Sequence, residues 1–324
     1  MFKNKALIIY GPTVTGKTAL AIKLAKIYNG EIISVDSRQV YRGLDIGSGK
    51  VDFKSKVEKH TGYWIVDGIK IYGFDLVSPG KQFTVADFIK FATGSIISIN
   101  KSKKLPILVG GTGFYIKSLL YGLESIGVKE NKKLRGQLSK LSVYDLYKKL
   151  KEINPKKAQS MNESDKKNPR RLIRAIEIAG ITHKQRTTNY KPPTINHLII
   201  GLTAENNYIF KKADNWLEER LKRGLVTEVE SLRHKLNSDW LISLGLEYKW
   251  VTLFLEGKTT KQEAIIRLKG DIHDFIRRQK TWLSQLKEIK VFNITNKLEL
   301  ESLEKTISLW YTQENERLQH TTEN

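Results

Sequence analysis

Three short polar clusters carry the side chains of this chain that could do chemistry. Gly11, Pro12, Thr13, Val14, Thr15, Gly16, Lys17 and Thr18 spell a complete G-x-x-x-x-G-K-[ST] loop. Backbone N–H groups of such a loop, at the N-terminus of a helix, wrap a polyphosphate. Lys17 supplies a point charge to the phosphates and Thr18 is placed to ligate Mg²⁺. Gly11 and Gly16 permit backbone angles and close approaches that a side chain would block. The second cluster, Asp36-Ser-Arg-Gln39, offers a carboxylate that could hold Mg²⁺ through water, act as a general base, or cap the next turn. The third, Gly110-Gly-Thr-Gly113, contains no catalytic carboxylate. The segment Gln39 to Lys50, with three glycines and the cations Arg42 and Lys50, reads as a substrate-facing loop and not as a hydrolase switch.

These clusters must be held by strands. The apolar runs Ala6–Tyr10, Ile32–Val35 and Lys104–Val109 precede them, and helical spacing covers Lys17–Ile27 and Val85–Ile99. Strands alternating with helices imply an α/β fold with a parallel sheet covered on both faces. Ligands on such sheets bind at the carboxyl ends of the strands, which is where all three clusters fall. From about Val128 to Lys191 the pattern changes to lysine-rich helices punctuated by Pro155, Pro169 and Pro192-Pro193. His197–Leu202 and Ile289–Ile294 return to strand character, with helices between about Asn207 and Trp282. The expected organisation is a core of residues 1–123 and 195–311, an inserted helical domain at 124–194, and a frayed polar tail at 312–324.

The chain has 324 residues and a net charge of +22, from 56 Lys plus Arg against 34 Asp plus Glu. A surface this basic is drawn to a polyanion. The charge is localised: Lys129 to Lys191 holds 18 basic and 6 acidic residues, a surplus of 12 in about a fifth of the length. The absence of cysteine excludes disulfides, thiolate zinc sites and a cysteine nucleophile. Six histidines show no metal-ligand spacing. No apolar run is long enough to span a bilayer, and no leader peptide precedes the first strand, so a cytoplasmic location is expected.

Gly11-Pro-Thr-x-x-Gly-Lys-Thr18, followed by Asp36-Ser-x-Gln-Val-Tyr-Arg-Gly-x-Asp-Ile-Gly-Ser-x-Lys50, resembles the tRNA dimethylallyltransferases, or tRNA isopentenyltransferases. The resemblance continues through Phe83–Phe88, Leu108–Tyr115, Arg170-Arg-Leu-Ile-Arg-Ala175, Gly224-Leu-Val-Thr-Glu-Val229 and Arg277-Arg-Gln-Lys-Thr-Trp282. It implies a P-loop NTPase-like fold and the transfer of a dimethylallyl group from its diphosphate to tRNA. The acceptor is the exocyclic amine of the adenosine 3′ to the anticodon, flipped out of its stack. In that resemblance the loop holds diphosphate as leaving group, with Thr13 at the donor's end and Lys17, Thr18 and Mg²⁺ absorbing developing charge. Asp36 is the general base. Ser37, Arg38 and Gln39 surround the acceptor nucleotide, and Thr112 lines its channel. Arg170, Arg171 and Arg174 contact tRNA, as do Tyr248, Lys249, Arg277, Arg278, Gln279, Lys280, Thr281 and Trp282. Lys269, His273, Arg277 and Lys280 share one helical face. The partner expected is the tRNA anticodon stem-loop, bound by a monomer.

The chain departs from that pattern at three places. Trp216 stands where the family usually has an arginine that reaches the diphosphate; Arg220, one turn later, is expected to replace it. Glu247 stands where glycine is usual. Gly62-Tyr-Trp-Ile-Val-Asp67 replaces a paired-histidine segment, and Ser284 an arginine. The alternatives are an isopentenyltransferase acting on free adenine nucleotides, a P-loop small-molecule kinase, and a non-catalytic RNA-binding descendant. Without cysteine the zinc finger of many eukaryotic members is absent, and the bacterial type is the better match.

Overall fold

The computed structural model describes residues 5–322 apart from 124, 125, 127, 129 and 181–193; the proline pair and the cations expected near the end of the insertion lie outside the described residues. The strands are β1 (Lys5–Tyr10), β2 (Gly30–Val35), β3 (Val57–His60), β4 (Tyr63–Val66), β5 (Ile69–Tyr72), β6 (Leu105–Gly110), β7 (Asn196–Thr203) and β8 (Lys290–Asn293). They form one sheet in the order β3-β4-β5-β2-β6-β1-β7-β8. From β5 to β8 all pairings are parallel, as expected of a P-loop NTPase-like core. Every residue of β2 and β6 is buried, which is the pattern of strands covered on both faces.

The antiparallel extension β3-β4-β5 is absent from the strand reading of the sequence. Its strands have four residues each, too short for a clear period. The signal that marks the β4–β5 hairpin is Asp67-Gly68, both at positive φ (51° and 84°) between two short β-forming runs. Trp64, on β4, belongs to the sheet's apolar core.

Two compact units divide the chain: Met1–Leu120 with Pro193–Asn324, and Tyr121–Pro192. In the first, α1 (Lys17–Ile27), α2 (Val85–Lys101) and α3 (Gly113–Tyr121) follow β1, β5 and β6. The second contains α4 (Lys132–Leu138), α5 (Val143–Ile153), α6 (Pro155–Ser160), α7 (Glu163–Lys166) and α8 (Pro169–Ala179). Asn131, Ser142, Asn154, Asn162 and Asn168 each accept a backbone N–H at the start of one of these helices. Pro155 and Pro169 occupy first turns, where no intrahelical bond is lost. Leu138, Leu146, Leu150, Leu172 and Ile176 form the separate core of this unit.

Returning to the first unit, the remaining helices are α9 (Asn206–Lys222), α10 (Leu225–Arg233), α11 (Ser238–Ser243), α12 (Leu246–Leu255), α13 (Lys261–Leu283) and α14 (Lys297–Thr322). The backbone is helical as far as Thr322, where the sequence suggested a frayed tail. A second core packs α9, α10, α12 and α13 around Val40, Tyr41 and Leu44. That packing explains the fate of Lys50, which the sequence placed in a substrate-facing loop. Its Nζ is buried, 2.6 Å from Asp45 Oδ1, 2.5 Å from Asp75 Oδ1 and 2.7 Å from the Tyr41 carbonyl. Arg42 likewise donates to the Asp75 carbonyl. Both cations bind groups of their own loop region, Lys50 buried and Arg42 at the surface. Replacing Lys50 by Met leaves two carboxylates around an apolar group, and should cost about 3–5 kcal/mol, read as a lower urea midpoint at unchanged m.

Candidate active site

Register brings the three clusters to one level. Tyr10 pairs with Gly110, and Gly110 with Val35, so β1, β6 and β2 end side by side. The phosphate loop, Gly111–Thr112 and Asp36 therefore start from adjacent strand ends. Gly110 is required there, since a Cβ on it would stand 2.0 Å from the Val35 carbonyl oxygen. Thr112 donates its N–H to that same carbonyl at 3.3 Å and opens α3.

Two residues give the phosphate loop its shape. Gly16 and Val14 take positive φ, 80° and 58°. A β-branched residue in that region is strained, and strain of this kind concentrates at ligand-binding turns. Gly11 has a different purpose from Gly16: a Cβ there would meet the Leu202 carbonyl on β7 at 2.4 Å. The Lys17 ammonium folds under the loop and donates to the Pro12 carbonyl at 2.5 Å. Burial lowers its pKa to about 8, with the negative charge of Asp36 opposing the shift. The Thr18 hydroxyl, in the first turn of α1, is exposed.

Asp36 is fixed through one oxygen. Oδ1 accepts the N–H of Arg38 at 2.8 Å and of Gln39 at 3.3 Å, and among the described residues no donor meets Oδ2. The capping reading and the general-base reading are thus compatible, one oxygen for each. Ser37 is exposed beside it. Gln39 is not free to meet a nucleotide. Its Oε1 accepts from Ser34, and its Nε2 donates to the Ser48 and Gly49 carbonyls.

Several residues expected at a tRNA surface are turned inward. Tyr248 is wholly buried, packed against Gly47 with its hydroxyl on Glu228 at 3.0 Å; burial holds its pKa well above the usual value. Glu228 receives the N–H groups of Asp45, Ile46 and Gly47 at 3.0, 2.6 and 2.9 Å. That loop-fastening role was missed, although Glu228 lies in the Gly224–Val229 string. Lys249 faces Asp271 and the ring of Trp250. On α13, the face of Lys269, His273 and Lys280 packs on α9 and the segment before it. Lys269 meets Glu218, His273 meets Asp214, and Lys280 donates to Ala204 and Asn206. Charges at helical spacing serve intramolecular pairs as readily as phosphates, so spacing alone does not tell the two apart. Gln279 is buried. Arg277, Arg278 and Thr281 remain exposed. Trp282 is half-buried against Gly113, with Lys117 over its ring at 5.8 Å.

The two departures at 216 and 247 are one physical unit. Arg220 lies on the Trp216 ring, 3.1 Å from its centroid, and its Nη1 donates to Glu247 at 3.1 Å and to the Gly47 carbonyl at 2.9 Å. Burial lowers its pKa to about 10, against the pull of Glu247. Arg220 is therefore a neutralised, 5% exposed cation and not an open phosphate ligand. The second oxygen of Glu247 is 3.9 Å from Arg38, whose Nη2 donates to the Leu244 carbonyl at 2.5 Å.

In the second unit Arg174 pairs with buried Glu177 and donates to the Val128 carbonyl, and Arg171 pairs with Asp165. Burial would raise the pKa of Glu177, but bonds from Arg135, Asn131 and Arg174 outweigh it and lower it. Arg170 is exposed with no partner among the described residues. Of the three arginines it is the one free to meet a phosphate.

A parallel sheet with a phosphate loop on one strand end and a fixed carboxylate two strands away is the frame of a P-loop transferase. The family model described as IPP transferase matches residues 39–286, and that described as isopentenyl transferase matches residues 4–73. A tRNA dimethylallyltransferase of Acetivibrio thermocellus is 37% identical over 94% of this chain and 95% of its own length. Treponema denticola tRNA dimethylallyltransferase 2 is 38% identical, over 88% of this chain and 93% of its own. The crystal structure of the full-length tRNA isopentenylpyrophosphate transferase from Bacillus halodurans superposes with a TM-score of 0.69 at 31% identity, covering 98% of this chain and all of that one. The chain belongs to the tRNA dimethylallyltransferase family of prenyltransferases.

Proposed function

We propose that this protein moves a dimethylallyl group from dimethylallyl diphosphate to the exocyclic amine of the adenosine 3′ to the anticodon in tRNA, releasing diphosphate. The observation that carries this reading is the placing of Asp36 and Lys17 at the ends of β2 and β1, one strand apart, with Asp36 fixed through Oδ1 and the Lys17 ammonium on a backbone carbonyl, so that neither is consumed by a charged partner. The bond from the prenyl carbon to the diphosphate oxygen breaks, and the bond from that carbon to the amine nitrogen forms. Asp36 Oδ2 accepts the amine proton. Lys17 swings from the Pro12 carbonyl to the diphosphate, where its charge is worth most as the leaving group departs.

An exposed Thr18 hydroxyl without a partner among the described residues fits Mg²⁺, an ion that keeps several waters and uses one or two protein oxygens beside substrate phosphates. When bound, the ion supplies Lewis-acid neutralisation of the leaving diphosphate. Thr112 lines the acceptor channel, with Ser37 and Arg38 on its other side. Gln39 acts behind them by fixing the loop. Arg170, Arg277 and Arg278, three exposed arginines of the two basic segments, meet the phosphates of the anticodon stem-loop, Arg277 exchanging its pairing with Asp274 for a phosphate. The protein acts as a monomer.

Incubation with labelled dimethylallyl diphosphate, Mg²⁺ and unmodified tRNA, with AMP as a parallel acceptor, tests this. Label should enter tRNA and not AMP, without ATP. Label entering AMP alone, or phosphoryl transfer from ATP, would replace this reading by the nucleotide-prenylating or the kinase one. The tRNA affinity should fall about a thousandfold or more between 50 and 200 mM salt, if about six or more phosphates are contacted. A flat salt response in a filter-binding assay would remove the phosphate contacts.

A further inference from the structure

Three segments of the reaction centre meet on one buried residue of α13, two on its side chain and one on its main-chain carbonyl. Gln279 is 4% exposed. Its Oε1 accepts the Thr13 N–H at 2.9 Å, its Nε2 donates to the Gly111 carbonyl at 3.1 Å, and its own carbonyl accepts the Tyr10 hydroxyl at 2.7 Å. The amide lies against bare backbone: a Cβ on Gly111 would stand 2.0 Å from Nε2. Three residues later Trp282 seats on Gly113 in the same way, with a Cβ there meeting its ring at 2.5 Å. The C-terminal half of α13 is thus fastened across the phosphate loop and the loop after β6.

Building on the function proposed above, we propose that Gln279 is a positioning residue for prenyl transfer, setting the separation of the donor loop from the acceptor loop while touching neither substrate. The chemistry required is specific. One atom must accept from Thr13 and another, two bonds away, must donate to Gly111, and a primary amide of this length does both. The Thr13 N–H is withdrawn from the diphosphate and fixed instead to the helix that carries Arg277 and Arg278. Transfer needs the prenyl carbon and the amine nitrogen in near-attack geometry, where a misplacement of about 1 Å costs on the order of 100-fold in rate. A residue that sets this gap acts on turnover and leaves affinity alone.

The test is steady-state kinetics of Gln279→Met and Gln279→Glu with dimethylallyl diphosphate and unmodified tRNA, together with tRNA binding at two salt concentrations. Methionine matches the length and forms neither bond. We expect kcat to fall about 10- to 100-fold, with tRNA KM and Kd within about twofold of wild type and an unchanged salt slope. The neutral carboxyl of the glutamate variant carries the same donor and acceptor as the amide. Its activity relative to wild type at the same pH should therefore rise as pH is lowered, and that of the methionine variant should not. A weaker tRNA Kd with a shallower salt slope would make Gln279 a tRNA contact and overturn the proposal. So would a methionine kcat within about twofold of wild type, or a flat pH ratio for the glutamate variant. If the methionine variant does not fold, the pH ratio of the glutamate variant decides alone. A wild-type protein that prenylates no tRNA would sink the functional reading, whereas an active wild type indistinguishable from its variants would sink only this one.

Discussion

Asp36→Ala should lower kcat for tRNA prenylation by about 10²- to 10⁴-fold, the range lost when a positioned general base is removed. Tight binding of tRNA should persist, because the phosphate-facing arginines are untouched. The loss has two physical parts. Oδ2 disappears as proton acceptor, and Oδ1 disappears as the cap on Arg38 and Gln39. Asp36→Asn separates them: its amide oxygen can still cap the turn, but the side chain no longer takes a proton. Turnover in the asparagine variant should stay near that of the alanine variant. Single-turnover assays with prebound tRNA check this, and an asparagine variant near wild type would remove Asp36 from the chemistry.

Lys17→Ala should cost about 10²- to 10³-fold in turnover, as for loss of one electrostatic partner of a developing charge. The wild-type residue adds a pH signature. Burial depresses its pKa to about 8 in the free protein, below the ordinary 10.5. Below about pH 8 the ammonium is charged and available to the diphosphate. Above it the free enzyme holds a neutral amine, so the donor KM should rise with pH until the value for the bound state is reached. Bound diphosphate favours the charged form, so that second value lies higher. The stability term has the opposite sense from a salt-bridged lysine. Between about pH 8 and 10.5 the unfolded chain binds more protons here, so this residue's contribution to stability improves as pH rises. Donor KM measured from pH 6.5 to 9.5 in wild type and Lys17→Ala decides the point: the variant should lack the rise.

Much of this centre was legible from residue order. Buried parallel strands are continuous apolar runs, so β1, β2, β6 and β7 declared themselves, and the loops after the first three carried the polar residues. Short strands in an antiparallel extension have no such signature. The α13 face illustrates a second limit. Lys269, His273, Arg277 and Lys280 share a face in the sequence, and α9 supplies Glu218 and Asp214 to meet two of them. Helical spacing reports which side chains travel together, and it is silent on what stands opposite.

Local chemistry explains what the chain of amino acids settled alone: the phosphate loop, the carboxylate after β2, and the family. Each depends on neighbours a few residues apart, such as Gly16 beside Lys17, or on a string of side chains in fixed order. Long-range contacts settled the rest. Trp216 and Glu247 are 31 residues apart, and only packing of α9 against α12 shows that they share Arg220. Thr13 and Gln279 are separated by 266 residues and joined at 2.9 Å. A hydrogen bond is indifferent to sequence separation but highly sensitive to a fraction of an ångström, so these partnerships exist only once the fold has placed them.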